Sequence, residues 1–219
     1  EVARGRLREK IPDLQRALRG RFGEHQRFLV AHQLAHIDFL DTAIATLDAE
    51  VGERLSPFEA EVRRLDEISG VGRRTSEVLL AELGADMSRF PTDRHVASWA
   101  GMCPGNNESA GKRKSGKTRK GSPWLRAALI EAAKAAARTK GTYLGAQYHR
   151  IAARRGGKKA TVAVGHTILV TAYHLLKEQT PYRDLGALYF DERNRQEVVR
   201  RQVRRLQTLG YQVTLQPVA

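Results

Sequence analysis

Three features of the sequence predict an all-α fold. Apolar residues recur at spacings of three and four along most of the chain. Pro12, Pro57, Pro91 and Pro123 each stand at the start of such a stretch, where a missing N–H costs little. Period-two alternation is confined to Tyr211–Leu215, which could form one short strand. The expected architecture is a long coiled-coil helical arm over residues 1–56. A compact helical domain over 57–219 follows, containing a helix-hairpin-helix and a basic loop.

The elements follow in order. Leu7, Ile11, Leu14 and Leu18 place a short helix over 7–20, ended by Gly20 and Gly23. Residues 24–55 contain no Pro, and Val30, Leu34, Ile37, Leu40, Ile44, Leu47, Val51 and Leu55 recur close to the 3.5-residue period of a coiled-coil seam. That stripe suits self-association; packing within its own domain is the alternative. Ser56-Pro57 should break this helix, with Ser56 as N-cap, Pro57 at N1 and Glu59 at N3 of a third helix reaching Asp66. Further helices are expected over 73–83 and 93–100. Residues 101–122 read as a Gly-, Lys- and Ser-rich loop. Helices resume over 122–139, with Ser122 as cap, and over 142–155, 158–178 and 192–208. The last carries Arg200, Arg201, Arg204 and Arg205 on one side.

The formal net charge of +14 implies a polyanionic partner, most simply nucleic acid. Its distribution is uneven: residues 1–70 carry net −2 and residues 71–219 net +16. Between Glu108 and Glu178 the only acid is Glu131, against sixteen Lys and Arg. No apolar run is long enough for a membrane span, and no signal peptide is apparent. Cys103 is the only cysteine, which excludes an internal disulfide and a cysteine-rich zinc site and fits a reducing, intracellular compartment. The chain begins with Glu1 rather than Met and is expected to be a fragment, a processed product or a trimmed piece.

Two constellations carry chemistry. In Ile68-Ser69-Gly70-Val71-Gly72-Arg73-Arg74-Thr75, one helix ends, a Gly-Val-Gly turn follows and a second helix begins. This resembles the helix-hairpin-helix of DNA-binding proteins. Gly70 and Gly72 would let the backbone approach a phosphate, helix N-terminal amides would face it, and Arg73 and Arg74 would add charge. An ordinary helical hairpin that needs glycine for its turn is the alternative. The second constellation is the basic segment with Lys112, Arg113, Lys114, Lys117, Arg119 and Lys120, followed by Arg126. It lacks the strand-to-helix context of a Walker A loop. Composition alone supports a phosphate-gripping loop and does not make Ser109 a nucleophile. Trp99 and Trp124 flank the segment and are expected to anchor its ends in the core, with base stacking as the alternative. His149, His166 and His174 read as core or surface residues rather than metal ligands.

The order of motifs decides further. Trp99-Ala-Gly-Met-Cys-Pro104-Gly-Asn-Asn-Glu-Ser109-Ala-Gly-Lys112, then Thr118-Arg-Lys-Gly121 and Trp124-Leu-Arg126-Ala-Ala-Leu129, resembles the C-terminal transposase domain of the insertion-sequence 110/116/902 family. The preceding helix-hairpin-helix and the stretch His36-Ile37-Asp38-Phe39-Leu40 have the same place in that family. The resemblance implies a DNA recombinase guided by a structured bridge RNA and acting in a prokaryotic cytoplasm, associated with the nucleoid. It implies a serine that attacks the DNA phosphodiester and holds the strand covalently; that serine falls on Ser109, and not on Ser115 or Ser122. It also implies a RuvC-like half with four acidic ligands for divalent metal, Mg. No such quartet is present here, since Asp38, Asp41, Asp48 and Glu50 lie on the coiled-coil helix. The metal half is expected upstream, and this chain should hold no cofactor. Expected partners are DNA, bridge RNA and further copies of the chain. A non-catalytic nucleic-acid-binding and dimerisation module is the alternative, and a helical scaffold dimerising through 24–55 is a second.

Overall fold

A computed structural model describes residues 5–18, 23–105 and 107–216. The described residues are almost entirely helical, and the fold is all-α with one small β-hairpin. The chain divides into two compact units, Glu1–Ser56 and Pro57–Ala219.

The first unit holds α1 (Ile11–Leu18) and α2 (Glu24–Leu55). Pro12 lies in the first turn of α1, and the expected stop at Gly20 lies outside the described residues. α2 runs unbroken for 32 residues and buries none of them. Its side chains at Val30, Leu34, Ile37, Leu40, Ile44 and Leu47 are all exposed, Ile44 to 52%.

Ser56 does not act as the expected N-cap. It continues in right-handed helical conformation, and a 3-10 turn (Ser56–Phe58) leads into α3 (Glu59–Asp66). The tighter turn accommodates Pro57 without a non-helical break, so no side-chain cap is needed.

In the second unit α3 is followed by α4 (Arg73–Leu83) and α5 (Asp93–Trp99), then by α6 (Pro123–Arg138), α7 (Tyr143–Arg155) and α8 (Gly157–Glu178). α8 is the central post and packs against α3, α5, α6 and α7. Its buried residues Ala160, Val164, Ile168, Ala172 and Leu176 fall on one face, with Gly165, Leu169 and Tyr173 beside them. α6 answers with Leu125, Leu129, Ala132, Ala133 and Ala136. Small residues bring these helices close: a Cβ on Gly165 would lie 3.2 Å from the Leu129 carbonyl oxygen of α6. Ser122 and Thr142 cap α6 and α7 through their hydroxyls.

The expected terminal helix divides at Asn194 into α9 (Tyr189–Arg193) and α10 (Arg195–Thr208). Aromatic contact of Tyr143 with Tyr189 and Phe190 holds α9 on α7, and Arg150 pairs with Asp191. α10 buries no residue. Residues 211–215 form no strand, because no second strand lies beside them to accept their backbone groups. Asp184 anchors the segment after α8. Its carboxylate accepts from the Tyr143 and Gly186 amides, the Ser69 hydroxyl and the Tyr182 phenol. Burial works against that charge, but the four hydrogen bonds together hold its pKa below the ordinary carboxylate value.

Candidate nucleic-acid interface and serine site

The segment expected as a loop is a β-hairpin. β1 (Asn107–Ser109) and β2 (Lys112–Ser115) run antiparallel, with Ser109 opposite Lys112, Glu108 opposite Arg113, and Asn107 opposite Ser115 across a bulge. Ala110 and Gly111 connect them with φ of 50° and 73°. Two successive left-handed residues make the turn whose twist matches a two-residue hairpin. Neither strand buries an apolar face, so alternation could not reveal them. The small Ala-Gly pair between Ser109 and Lys112 was the only local signal.

The base of the hairpin is tied firmly. Pro104 bridges Thr118, and the Gly105 amide donates to the Lys117 carbonyl at 2.8 Å. The two ends cross in close contact: a Cβ on Gly121 would lie 2.2 Å from the Ala100 carbonyl oxygen. Arg126 reaches back from α6 and donates from Nη1 to the Gly101 carbonyl at 3.1 Å and to Thr118 Oγ1 at 2.9 Å. This guanidinium is part-buried and engaged in holding the hairpin to the helical body.

The three serines of the segment have different surroundings. Ser115 Oγ accepts from the Lys117 amide at 3.1 Å, and Ser122 Oγ accepts from the Leu125 amide at 3.2 Å. Ser109 stands exposed beside the turn, and its hydroxyl has no hydrogen-bond partner among the described residues. Lys112, opposite Ser109 in the register, and Lys114, Lys117, Arg119 and Lys120 along the hairpin and its base are exposed, and none forms a salt bridge among the described residues. Arg113 occupies the register position opposite Glu108.

The turn between α3 and α4 is built differently. Ile68 and Val71 are buried, and the Val71 amide donates to the Ile68 carbonyl at 2.8 Å. Gly70 has φ of 88° and lies directly on α6; a Cβ there would be 2.4 Å from the Ala136 nitrogen and 2.6 Å from the Ala132 oxygen. Gly70 therefore serves contact with a helix. Gly72 opens α4 from an extended conformation, with no atom near its missing Cβ. Arg73 makes a two-pronged pair with Glu59, each contact 3.0 Å, and a third with Glu77 at 3.2 Å. Arg74 also pairs with Glu77 at 3.0 Å. The Arg73 hydrogen bond and charge hold the Glu59 carboxyl below its ordinary pKa.

Trp124 does not anchor the hairpin in the core. It is 75% exposed, because Leu125 takes the inward position in the first turn of α6. Trp99 is half-exposed against Phe90, with ring centroids 5.6 Å apart. His149 is exposed, and His174 meets Glu178 at 2.9 Å. His166 is partly buried, which lowers its pKa, with the charge of Asp93 acting in the opposite direction. Among the described residues no three His, Cys, Asp or Glu side chains are grouped to hold a metal, and no helix is long and apolar enough to cross a membrane. Composition gave no sign of a cavity of about 650 Å³ between the hairpin base and α8, lined by Gln147, Lys158, Lys159 and His166 among others.

No curated protein matches the chain. Residues 62–149, from α3 through the hairpin and into α7, match the family described as Transposase IS116/IS110/IS902 family. The match spans the turn after α3, the serine-bearing hairpin and the helices that hold both, so this stretch of the chain is similar to the transposases of the IS116/IS110/IS902 family.

Proposed function

We propose that this chain is the nucleic-acid-handling and serine-bearing part of an RNA-guided DNA transposase, with Ser109 as the nucleophile. The observation that carries the reading is the hairpin tip. Exposed Ser109 stands opposite exposed Lys112 in the hairpin register, and among the described residues neither its hydroxyl nor the Lys112 and Lys114 ammonium groups have a partner. Phosphodiester backbones fit that setting, since cations and amides recognise phosphate without reading bases.

In the proposed step, Ser109 Oγ attacks phosphorus. The Oγ–P bond forms as the bond from phosphorus to a deoxyribose oxygen breaks. The serine proton leaves to a base and the departing oxygen takes up a proton. The strand stays bound as a phosphoserine ester, and a second strand's hydroxyl reverses the step. Lys112 and Lys114 offset the charge that builds on the equatorial oxygens. Among the described residues no three His, Cys, Asp or Glu side chains are grouped to hold a metal, and Ser109, Lys112 and Lys114 are the residues of this chain assigned to the step. Metal binding is assigned to a RuvC-like part outside these residues.

The remaining contacts belong to the same reading. Exposed Lys117, Arg119 and Lys120 extend the phosphate track, and the open backbone at Gly72 adds amides to it. DNA and bridge RNA are the proposed partners. The exposed stripe Val30–Leu47 on α2 is assigned to a second copy of the chain. Replacing Ile37 and Ile44 together by Asp should halve the solution mass, because buried unpaired charge is costly.

The decisive experiment is covalent trapping on the full-length protein. The native protein and Ser115→Ala should form a protein–DNA adduct, and Ser109→Ala should not while keeping its affinity for DNA. An adduct that persists without Ser109 places the nucleophile elsewhere. If nucleic acid binds and no variant forms an adduct, the domain is a binding module.

A further inference from the structure

We propose that the cavity between the hairpin base and α8 receives a nucleobase extruded from a bound strand, with that nucleotide's phosphates held by Lys117, Lys158 and Lys159. The inference rests on the nucleic-acid reading above and adds a site to it.

The cavity has a volume of about 650 Å³, inside the range of roughly 300–1,000 Å³ typical of sites for small organic ligands. Its wall is aliphatic where Met102, Val162 and Ala163 line it, which suits the faces of a planar ring. No Asp or Glu lines it. Its cations come from two elements, Lys117 from the hairpin base and Lys158 and Lys159 from the first turn of α8. The occupant must therefore combine an apolar plane with anionic charge, as a nucleotide does.

Hydrogen bonding narrows the choice. Gln147 donates from Nε2 to Thr167 Oγ1 at 2.9 Å, and Thr167 in turn donates to the Ala163 carbonyl at 3.2 Å. These bonds fix the amide and leave Gln147 Oε1 buried, without a partner among the described residues. Buried acceptors in folded proteins almost always meet a donor. A ring N–H or exocyclic amine on a base edge would be that donor. His166 lines the same space, and its burial favours the neutral ring, which offers one donor and one acceptor. Extruding a base from a strand requires such compensation for lost stacking.

The test uses the full chain and a 20-mer of single-stranded DNA carrying one 2-aminopurine. Emission of that base rises when it leaves the stack for an aliphatic pocket, and anisotropy of an end-labelled copy reports total binding. The native chain should raise the emission several-fold. Ala163→Phe fills the cavity, and Gln147→Leu removes its acceptor at similar volume. Both should lose most of the rise while total affinity changes by less than about threefold, since the other phosphate contacts remain. Should Ala163→Phe lose its native helical spectrum, Gln147→Leu decides alone. Binding by anisotropy with no emission rise, or with a rise that both variants retain, overturns the cavity site and leaves the nucleic-acid reading standing. No binding by anisotropy overturns that reading instead. Adenosine monophosphate is the other source of the same chemistry: if micromolar amounts abolish the rise, the site takes free nucleotide and the strand assignment fails.

Discussion

The two Gly- and Arg/Lys-bearing turns of the second unit carry similar residues and place them in opposite circumstances. In the turn after α3, Gly70 presses on α6, and Arg73 and Arg74 are committed to Glu59 and Glu77. In the β-hairpin, Lys112, Lys114, Lys117, Arg119 and Lys120 are exposed on a rigid base and form no salt bridge among the described residues. A cation with an internal partner must exchange one carboxylate for a phosphate. A cation without one gains the full contact and releases a counterion on binding. Charge in a sequence therefore does not measure charge available to a partner.

The largest expected effect tests the structural side of the contrast. Gly70→Ala combines a left-handed backbone with a backbone clash, so it should destabilise the second unit by about 3 kcal/mol or more, measured by denaturant melting. Gly72→Val meets no such neighbour and should melt as the native chain does, while DNA affinity falls. Equal melting of the two variants would break the distinction between the glycines.

Replacing Lys112, Lys114 and Lys120 together by Ala should weaken DNA binding roughly 100-fold at about 0.1 M salt, and the slope of log affinity against log salt should fall by about 2.7. Titration by anisotropy at several salt concentrations measures both. An unchanged slope would remove the hairpin from the interface.

Arg126→Ala should act on the hairpin base. Losing the bonds to Gly101 and Thr118 should cost about 1–3 kcal/mol locally, read as faster proteolysis between residues 105 and 121 with little change in global melting. The smallest effect is expected from Arg73→Ala. Its ion pairs are exposed, so melting should barely move, and DNA affinity should change less than about threefold. A loss as large as that of the hairpin lysines would show that Arg73 leaves Glu59 for phosphate.

The sequence by itself determined the helical class, most helix bounds and the one-sided charge. Helical periods, caps such as Ser122 and starts such as Pro123 act through residues within a few positions of one another, so they can be read along the chain. The order of motifs around Ser109 led to the same transposase family that residues 62–149 match. Only the tertiary structure decided which charges are spent. Arg73 meets Glu59 fourteen residues away, and Ser69 meets Asp184 115 residues away, separations at which no period links the partners. It also turned a polar loop into a hairpin. With no apolar face, that hairpin shows no alternation and owes its form to the Ala110-Gly111 turn and to Arg126 beneath it. The cavity beside α8 was invisible for the same reason: Gln147, Lys158 and His166 come together only because α7 and α8 pack side by side, and packing is a property of the assembled helices rather than of any one stretch.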